Sequence, residues 1–185
     1  DKKRMKEFFL KAQLPLIKYC ILRLGFESDH LNNMKFPMVV KPVDAYGSKG
    51  IFVCENVEQI RIHFQDVISE SLKYQDRIIV EEFYPADEIS INAWVKDGRP
   101  FLTCVYDVIR NYKSDMQLAA VNFPSKYVCG NTVFFERLLK HIVKESRIKN
   151  GPVTLQCFIG NDGIKIGELL YRLAGGSTYL YATYL

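Results

Sequence analysis

Met38-Val-Val-Lys41-Pro-Val-Asp-Ala-Tyr-Gly47-Ser48-Lys49-Gly50-Ile-Phe-Val-Cys54 decides how the rest of the chain is read. Two short apolar runs, Met38 to Lys41 and Gly50 to Cys54, predict strands around a polar loop that carries two glycines. Glycine lets a backbone come close to a ligand, and successive N–H groups in such a loop form an anion-binding nest. Lys41, on the strand entering the loop, adds a point charge suited to phosphate oxygens. Taken alone, the loop still fits an ordinary hairpin connection more readily than a phosphate cradle. It is not a Walker A loop, because the GxxxxGK[ST] spacing is absent and a strand rather than a helix follows.

Working outward, Asp1 to Gln13 spaces Met5, Phe8, Phe9 and Ala12 as a helix, with Asp1 as its cap and Leu14-Pro15 as its stop. A second helix is predicted over 56–72: Asn56 caps it with Gln59 three residues on, and Val57, Ile60, Phe64, Val67 and Ile68 form its apolar stripe. Strands are expected over 77–82 and 88–95, then, after an Asp97-Gly98 turn, over 101–106. A third helix over 132–147 turns Phe135, Leu138, Leu139, Ile142 and Val143 inward. Strands over 153–159 and 164–169 flank the Asn161-Asp162-Gly163 hairpin, and a helix is expected beyond Gly175-Gly176. Strands arrive in hairpins with helices between them, so the class is α+β with antiparallel sheets.

Composition agrees with a folded domain or two small ones. The chain has 185 residues, 48% hydrophobic and 25% charged, which excludes disordered and fibrous classes. No apolar run is long enough to span a membrane. Five scattered cysteines without a CxxC pair are poor material for a disulfide framework or a zinc site, and fit a reduced, cytoplasmic setting. A formal charge of +4 suits anionic ligands without implying nucleic acid. The chain opens at Asp1 and stops at Leu185 within a stretch of helical character, so it is expected to be part of a longer protein.

Two further groups could carry chemistry. Glu81, Glu82 and Glu88 follow an apolar strand, and alternation turns one of the first two inward; a solvated strand end is the plainer reading. Gln156 and Glu168 stand on the two arms of the last hairpin, with Arg172 four residues later. Oxygen ligands on paired strands suit a hard cation such as Mg²⁺, and an arginine beside them suits a phosphoryl group. A cross-strand polar pair with a neighbouring salt bridge explains them equally. His63 and His141 lie on predicted helices with no Cys or carboxylate at ligand spacing, His30 sits in a polar turn, and GxSxG and HExxH are absent, so triad and zinc-hydrolase chemistries fall away.

In order and spacing these groups resemble the ATP-grasp superfamily of carboxylate ligases. Asp1-Lys2 with Leu14-Pro15 resembles the family's DK…(A/G)xxP opening. Phe36-Pro-Met-Val-Val-Lys41 through Gly50 resembles FPvvvKPxxxxGSxGv, and Ile79-Val-Glu-Glu-Phe-Tyr-Pro-Ala-Asp-Glu88 resembles the hinge motif vEeFxxGxE. Gln156, Glu168 and Arg172 ahead of Gly175-Gly176 are similar to the closing Q/E…ExNxRxGG. The resemblance implies a two-lobed fold gripping ATP between antiparallel sheets: residues 1–15 as a helix packing with the second lobe, 16–80 as a small lobe, and 81–185 as a larger one. It implies that Lys2 and Lys41 hold phosphates, with Gly47, Ser48 and Gly50 in a covering loop. The main chain of Glu81, Glu82, Phe83 and Tyr84 would meet adenine, and Glu88 the ribose hydroxyls. Gln156 and Glu168 would bind Mg²⁺ or Mn²⁺, and Arg172 would support an acyl phosphate.

The implied reaction phosphorylates a small carboxylate with ATP, for attack by an amine or other nucleophile, with no role for nucleic acid or membrane. Four departures accompany it. Leu170 stands where the family has asparagine, Gln156 replaces the commoner Glu, Pro-Ala-Asp fills the hinge where a glycine is usual, and the N-terminal α/β domain that the family places before this region is expected to lie outside this sequence. They leave open a catalytically weakened ATP-binding scaffold and, from Gln156, a carbamoyl-phosphate-synthetase-like enzyme using bicarbonate.

Overall fold

The computed structural model describes residues 1–45, 49–111 and 118–173. Among the described residues are two antiparallel sheets and three α-helices. By its contacts the chain divides into two compact units, Asp1–Pro85 with Arg110–Ala119, and Ala86–Ile109 with Ala120 onward.

The first unit is built on a four-stranded sheet of β1 (Tyr19–Arg23), β2 (Met38–Pro42), β3 (Phe52–Cys54) and β4 (Arg77–Glu82), in the order β1-β4-β2-β3. Helix α1 (Lys2–Lys11) begins where the Asp1 carboxylate accepts the Lys3 and Arg4 amides, a side-chain N-cap that satisfies orphan donors of the first turn. Helix α2 (Val57–Ser69) is capped by Asn56 Oδ1, which accepts from the Gln59 amide, while Gln59 Oε1 accepts from the Glu55 amide. Ile60, Phe64 and Val67 of α2 pack on Met38, Val40, Ile78 and Val80, one face of the sheet. The opposite face carries Ile79 and Glu81, and α1 reaches it through Lys6.

The second unit holds five strands in the order β7-β6-β5-β8-β9: β5 (Ala86–Lys96), β6 (Arg99–Arg110), β7 (Leu118–Asn122), β8 (Gly151–Gly160) and β9 (Gly163–Leu170). Helix α3 (Thr132–Ser146) lies against β5 and buries Phe135, Leu138, Leu139, Ile142 and Val143. Ile89, Ile91 and Ala93 of β5 lie opposite Cys157, Leu155 and Val153 of β8 in this core, and Val95 continues the same face. Period-2 alternation leaves the other face of both strands free to be polar.

The sequence reading is corrected at several points. Helix α1, expected with the second lobe, belongs to the first unit, because Lys6 and Lys2 tie it to β4 and to the end of β2. The division falls after Pro85 rather than after residue 80, and β5 starts at Ala86 rather than Glu88. Strands β1 and β7 had no signal: β1 is an edge strand with one fully buried side chain, Leu22, so no alternation marks it. The helix expected beyond Gly175-Gly176 lies outside the described residues.

Candidate functional site

In the first unit, β2 and β4 run side by side with Val39 opposite Glu81 and Lys41 opposite Ile79. Lys41 and Glu81 are therefore diagonal neighbours on one face. Lys41 Nζ lies 2.7 Å from Glu81 Oε2, and Lys6 Nζ lies 2.8 Å from Glu81 Oε1. Lys6 has no exposed side-chain surface and Glu81 only 5%. Burial alone would raise the Glu81 carboxyl, but the two ammonium groups overcome it and bring its pKa down to about 2. Of the pair Glu81 and Glu82, Glu81 is thus the inward one; Glu82 is half-buried and accepts from the Lys35 amide at 3.0 Å.

Lys2 donates its backbone N–H to Val43 O and its ammonium to Ala45 O, both at 2.9 Å, so it sits against the start of the glycine-bearing loop. That loop is anchored at both ends. Asp44 accepts the Ser71 hydroxyl and the amides of Leu72 and Lys73, just beyond the C-terminal end of α2. Gly50 has φ +65°, and a Cβ there would come 3.1 Å from both Glu70 Cβ and Pro42 Cγ, so a positive φ and a close approach both require glycine. Gly47 and Ser48 lie outside the described residues. In the hinge, Glu82 donates its amide to Lys18 O and Phe83 its amide to Pro37 O. Two of the four positions named for adenine therefore already use their N–H groups inside the fold.

In the second unit, Glu88, Ser90 and Asn92 occupy the polar face of β5, all three at least 95% buried. Gln156 Nε2 donates to Glu88 Oε1 at 2.7 Å. Gln156 pairs in register with Glu168, so Glu88, Gln156 and Glu168 share one region of the sheet. The register depends on an irregularity at Gly167: Cys157 faces Ile166 and Gln156 faces Glu168. Phe158 lies against Gly167 so closely that a Cβ would fall 2.6 Å from its ring. Leu170 pairs with Thr154, and alternation puts it on the face of Glu168, away from the core face that takes Leu169. Thr154 Oγ1 lies 2.9 Å from Asn92 Oδ1 and 3.1 Å from the Arg172 carbonyl oxygen; the Arg172 guanidinium donates to Leu173 O.

This face can take a hard cation. Gln156 commits its amide N–H₂ to Glu88, leaving its carbonyl oxygen as the donor suited to a metal, beside the Glu168 carboxylate. Among the described residues no group of three His, Cys, Asp or Glu side chains is placed to hold a metal by itself. That donor set matches a cation bound by one or two carboxylates together with substrate phosphates. Burial pushes the Cys20 and Cys54 thiols up to about 11 and Cys157 higher still, so none of these three is a thiolate nucleophile near neutral pH.

Sequence reasoning missed Lys6, Asp44, Ser90, Asn92 and Thr154. Lys6 stands one helical turn after Lys2, on the same face of α1, and polar residues at 88, 90 and 92 interrupt apolar 89, 91 and 93. Those two periodicities were the signals available. Nothing local marked Asp44 or Thr154, whose partners come from other elements.

A family model described as the ATP-grasp domain matches residues 34–178. A D-alanine–D-alanine ligase of Staphylococcus carnosus is 28% identical over 138 residues, covering 70% of this chain and 36% of that protein. A carbamoyl-phosphate synthase of Methanobrevibacter smithii is 33% identical over 99 residues, covering 53% of this chain and 24% of that one. The N5-carboxyaminoimidazole synthetase of Staphylococcus aureus, solved with ADP, superposes with a TM-score of 0.80 at 15% identity, over 98% of this chain and 47% of its own. The chain thus spans less than half the length of each of these relatives. With the model matched across both units, the chain belongs to the ATP-grasp family.

Proposed function

We propose that the chain is the ATP-binding part of a ligase that transfers the γ-phosphoryl group of ATP to a carboxylate. The acyl phosphate formed would then be attacked by an amine or other nucleophile, releasing phosphate. The observation that carries this reading is the meeting of Glu88, Gln156 and Glu168 on one sheet face, in a chain of this family. Support also comes from the S. aureus synthetase, which was solved with ADP.

Each unit would contribute part of the chemistry. From the first, Lys2 and Lys41 neutralise phosphate charge, the loop with Gly47, Ser48 and Gly50 covers the nucleotide, and the main chain around Glu81 and Tyr84 meets the adenine edge. From the second, the Glu88 carboxylate accepts the ribose hydroxyls, and Arg172 stabilises charge on the transferring group. Gln156 and Glu168 would hold Mg²⁺ or Mn²⁺, which supplies charge neutralisation to the phosphates when bound. Phosphoryl transfer needs positioning and electrostatics rather than a protein nucleophile. A cytoplasmic setting fits five cysteines that form no disulfide among the described residues.

A carbamoyl-phosphate-synthetase-like reaction on bicarbonate is the second reading, favoured by Gln156 and by the M. smithii relative. ADP release from MgATP, screened against amino acids, other small carboxylates and bicarbonate, tests both. Stimulation by one acid supports the ligase, stimulation by bicarbonate alone supports the second reading, and ATP binding without stimulation points to a weakened scaffold.

A further inference from the structure

We propose that Thr154 is a positioning residue for Arg172: its hydroxyl proton holds the Arg172 carbonyl oxygen and so sets where the guanidinium is carried at the end of β9. The inference rests on the reading that Arg172 supports the transferring phosphoryl group.

Arg172 stands where ordinary strand pairing stops. Leu170 is the last residue of β9 and pairs with Thr154. By the same register Pro152 would face Arg172, and proline has no N–H with which to continue the ladder. A side chain supplies the bond instead, because Thr154 Oγ1 lies 3.1 Å from the Arg172 carbonyl oxygen. Thr154 is a stiff, β-branched residue, 2% exposed, on a strand flanked by β5 and β9. Arg172 is exposed, and its guanidinium donates to the Leu173 carbonyl, a bond within its own segment that does not tie it to the sheet. The anchor to the sheet comes through Thr154.

Behind Thr154 the polar row continues inward. Thr154 Oγ1 also lies 2.9 Å from Asn92 Oδ1, and Asn92 Nδ2 lies 3.1 Å from Ser90 Oγ. A threonine hydroxyl has one proton and cannot give it fully to two oxygens. The oxygen and nitrogen of an asparagine amide have nearly the same shape and are told apart by their partners. Turned over, the Asn92 amide donates to Thr154 Oγ1 and accepts from the Ser90 hydroxyl, and the Thr154 proton goes to Arg172 alone. Each proton then serves one acceptor, in a one-way chain of hydrogen bonds that ends on Arg172. Bonds in such a chain strengthen one another. Ser90 pairs in register with Gln156, and Gln156 with Glu168, so adjacent rows of one sheet would hold the cation ligands and the arginine.

The test is calorimetric titration of the full chain with MgADP, with and without aluminium fluoride, a mimic of the phosphoryl group in transfer. The quantity read is the factor by which aluminium fluoride tightens MgADP, which divides out losses common to both titrations. Arg172→Ala should reduce that factor at least tenfold, and Thr154→Val, which keeps the shape but removes the hydroxyl, about fivefold. Thr154→Ser, which keeps the hydroxyl, should stay within about twofold of the native chain. Thr154→Val/Arg172→Ala should lose no more than Arg172→Ala alone, since the hydroxyl acts through the arginine. Should Thr154→Val melt below the assay temperature, Thr154→Ala takes its place with the same expectations. An unchanged factor in Thr154→Val, with Arg172→Ala impaired, overturns the role of Thr154. So do equal losses in Thr154→Val and Thr154→Ser, which would make the effect one of packing, and additive losses in the double variant. An unchanged factor in Arg172→Ala, or no tightening in the native chain, instead removes the reading of Arg172 itself, and this inference with it.

Discussion

Gln156 has a physical reason to be glutamine. Its amide nitrogen sits 2.7 Å from a carboxylate oxygen of Glu88 that is almost wholly buried. A glutamate would set two carboxylates at that distance, and both cannot ionise without a shared proton or a cation. Gln156→Glu should therefore lose about 1–3 kcal/mol in the absence of divalent metal, roughly 2–10 °C in Tm. Millimolar Mg²⁺ should restore much of it. A thermal melt with and without Mg²⁺ checks this, and equal losses in both would show that the charges do not share a cation site. Leu170 poses the converse question. It faces Thr154 on the polar side of β9, not the α3 core. An asparagine there meets polar neighbours, so Leu170→Asn should cost less than about 1 kcal/mol and tighten Mg²⁺ binding in the presence of ATP. Lower stability without any metal response would remove the claim.

At the scale of elements, the glycine-bearing loop is held by the end of α2. Asp44 accepts three donors from residues 71–73, so its carboxylate clamps the segment that follows α2, and Gly50 rests on Glu70. Charge-assisted bonds of this kind contribute about 1.5–3 kcal/mol where they are sheltered, less where water screens them. Asp44→Ala should free the Leu72 and Lys73 amides, and hydrogen exchange at those two positions should speed at least tenfold. Exchange in the middle of α2, at Phe64, should stay slow. Uniform acceleration along α2 would mean that Asp44 supports the whole helix rather than the loop junction. The irregularity at Gly167 works in the second unit as Asp44 does in the first. It resets the β8–β9 register so that Glu168, rather than its neighbour, faces Gln156.

For the whole molecule, the Glu81 cluster links acid stability to the candidate site. The Glu81 pKa is near 2 in the folded chain, below the ordinary carboxylate value of about 4.3. A lowered folded value means stability that is present above the unfolded pKa and lost as pH falls through the folded one. The native chain should therefore lose stability steeply between about pH 4.5 and pH 2. Lys6→Met/Glu81→Gln, lacking that carboxylate, should show a shallower loss over the same window. Urea unfolding followed across pH 2–6 reads the difference, and parallel curves for the two proteins would contradict it.

Much was legible without coordinates because it is local. Helix α2 announces itself by its cap and 3.6-residue stripe, the β8–β9 hairpin by Asn161-Asp162-Gly163, and the motif residues Lys41, Glu88, Gln156 and Glu168 by their order along the chain. Periodicity and spacing are properties of neighbours in sequence, so they survive without tertiary context. What needed the fold was every pairing between distant residues. Glu81 could be assigned inward on alternation, yet its two lysines come from a helix and a strand 75 and 40 positions away. The edge strand β1 exists because β4 offers it hydrogen bonds. Whether Glu168 or a neighbour faces Gln156 depends on the extra residue at Gly167, and whether Leu170 meets the core or the polar face depends on that same register. A one-residue shift in pairing reverses which side chains share a face. The amino-acid order therefore named the chemical groups of this site, while only the pairing of strands and helices decided which of them meet.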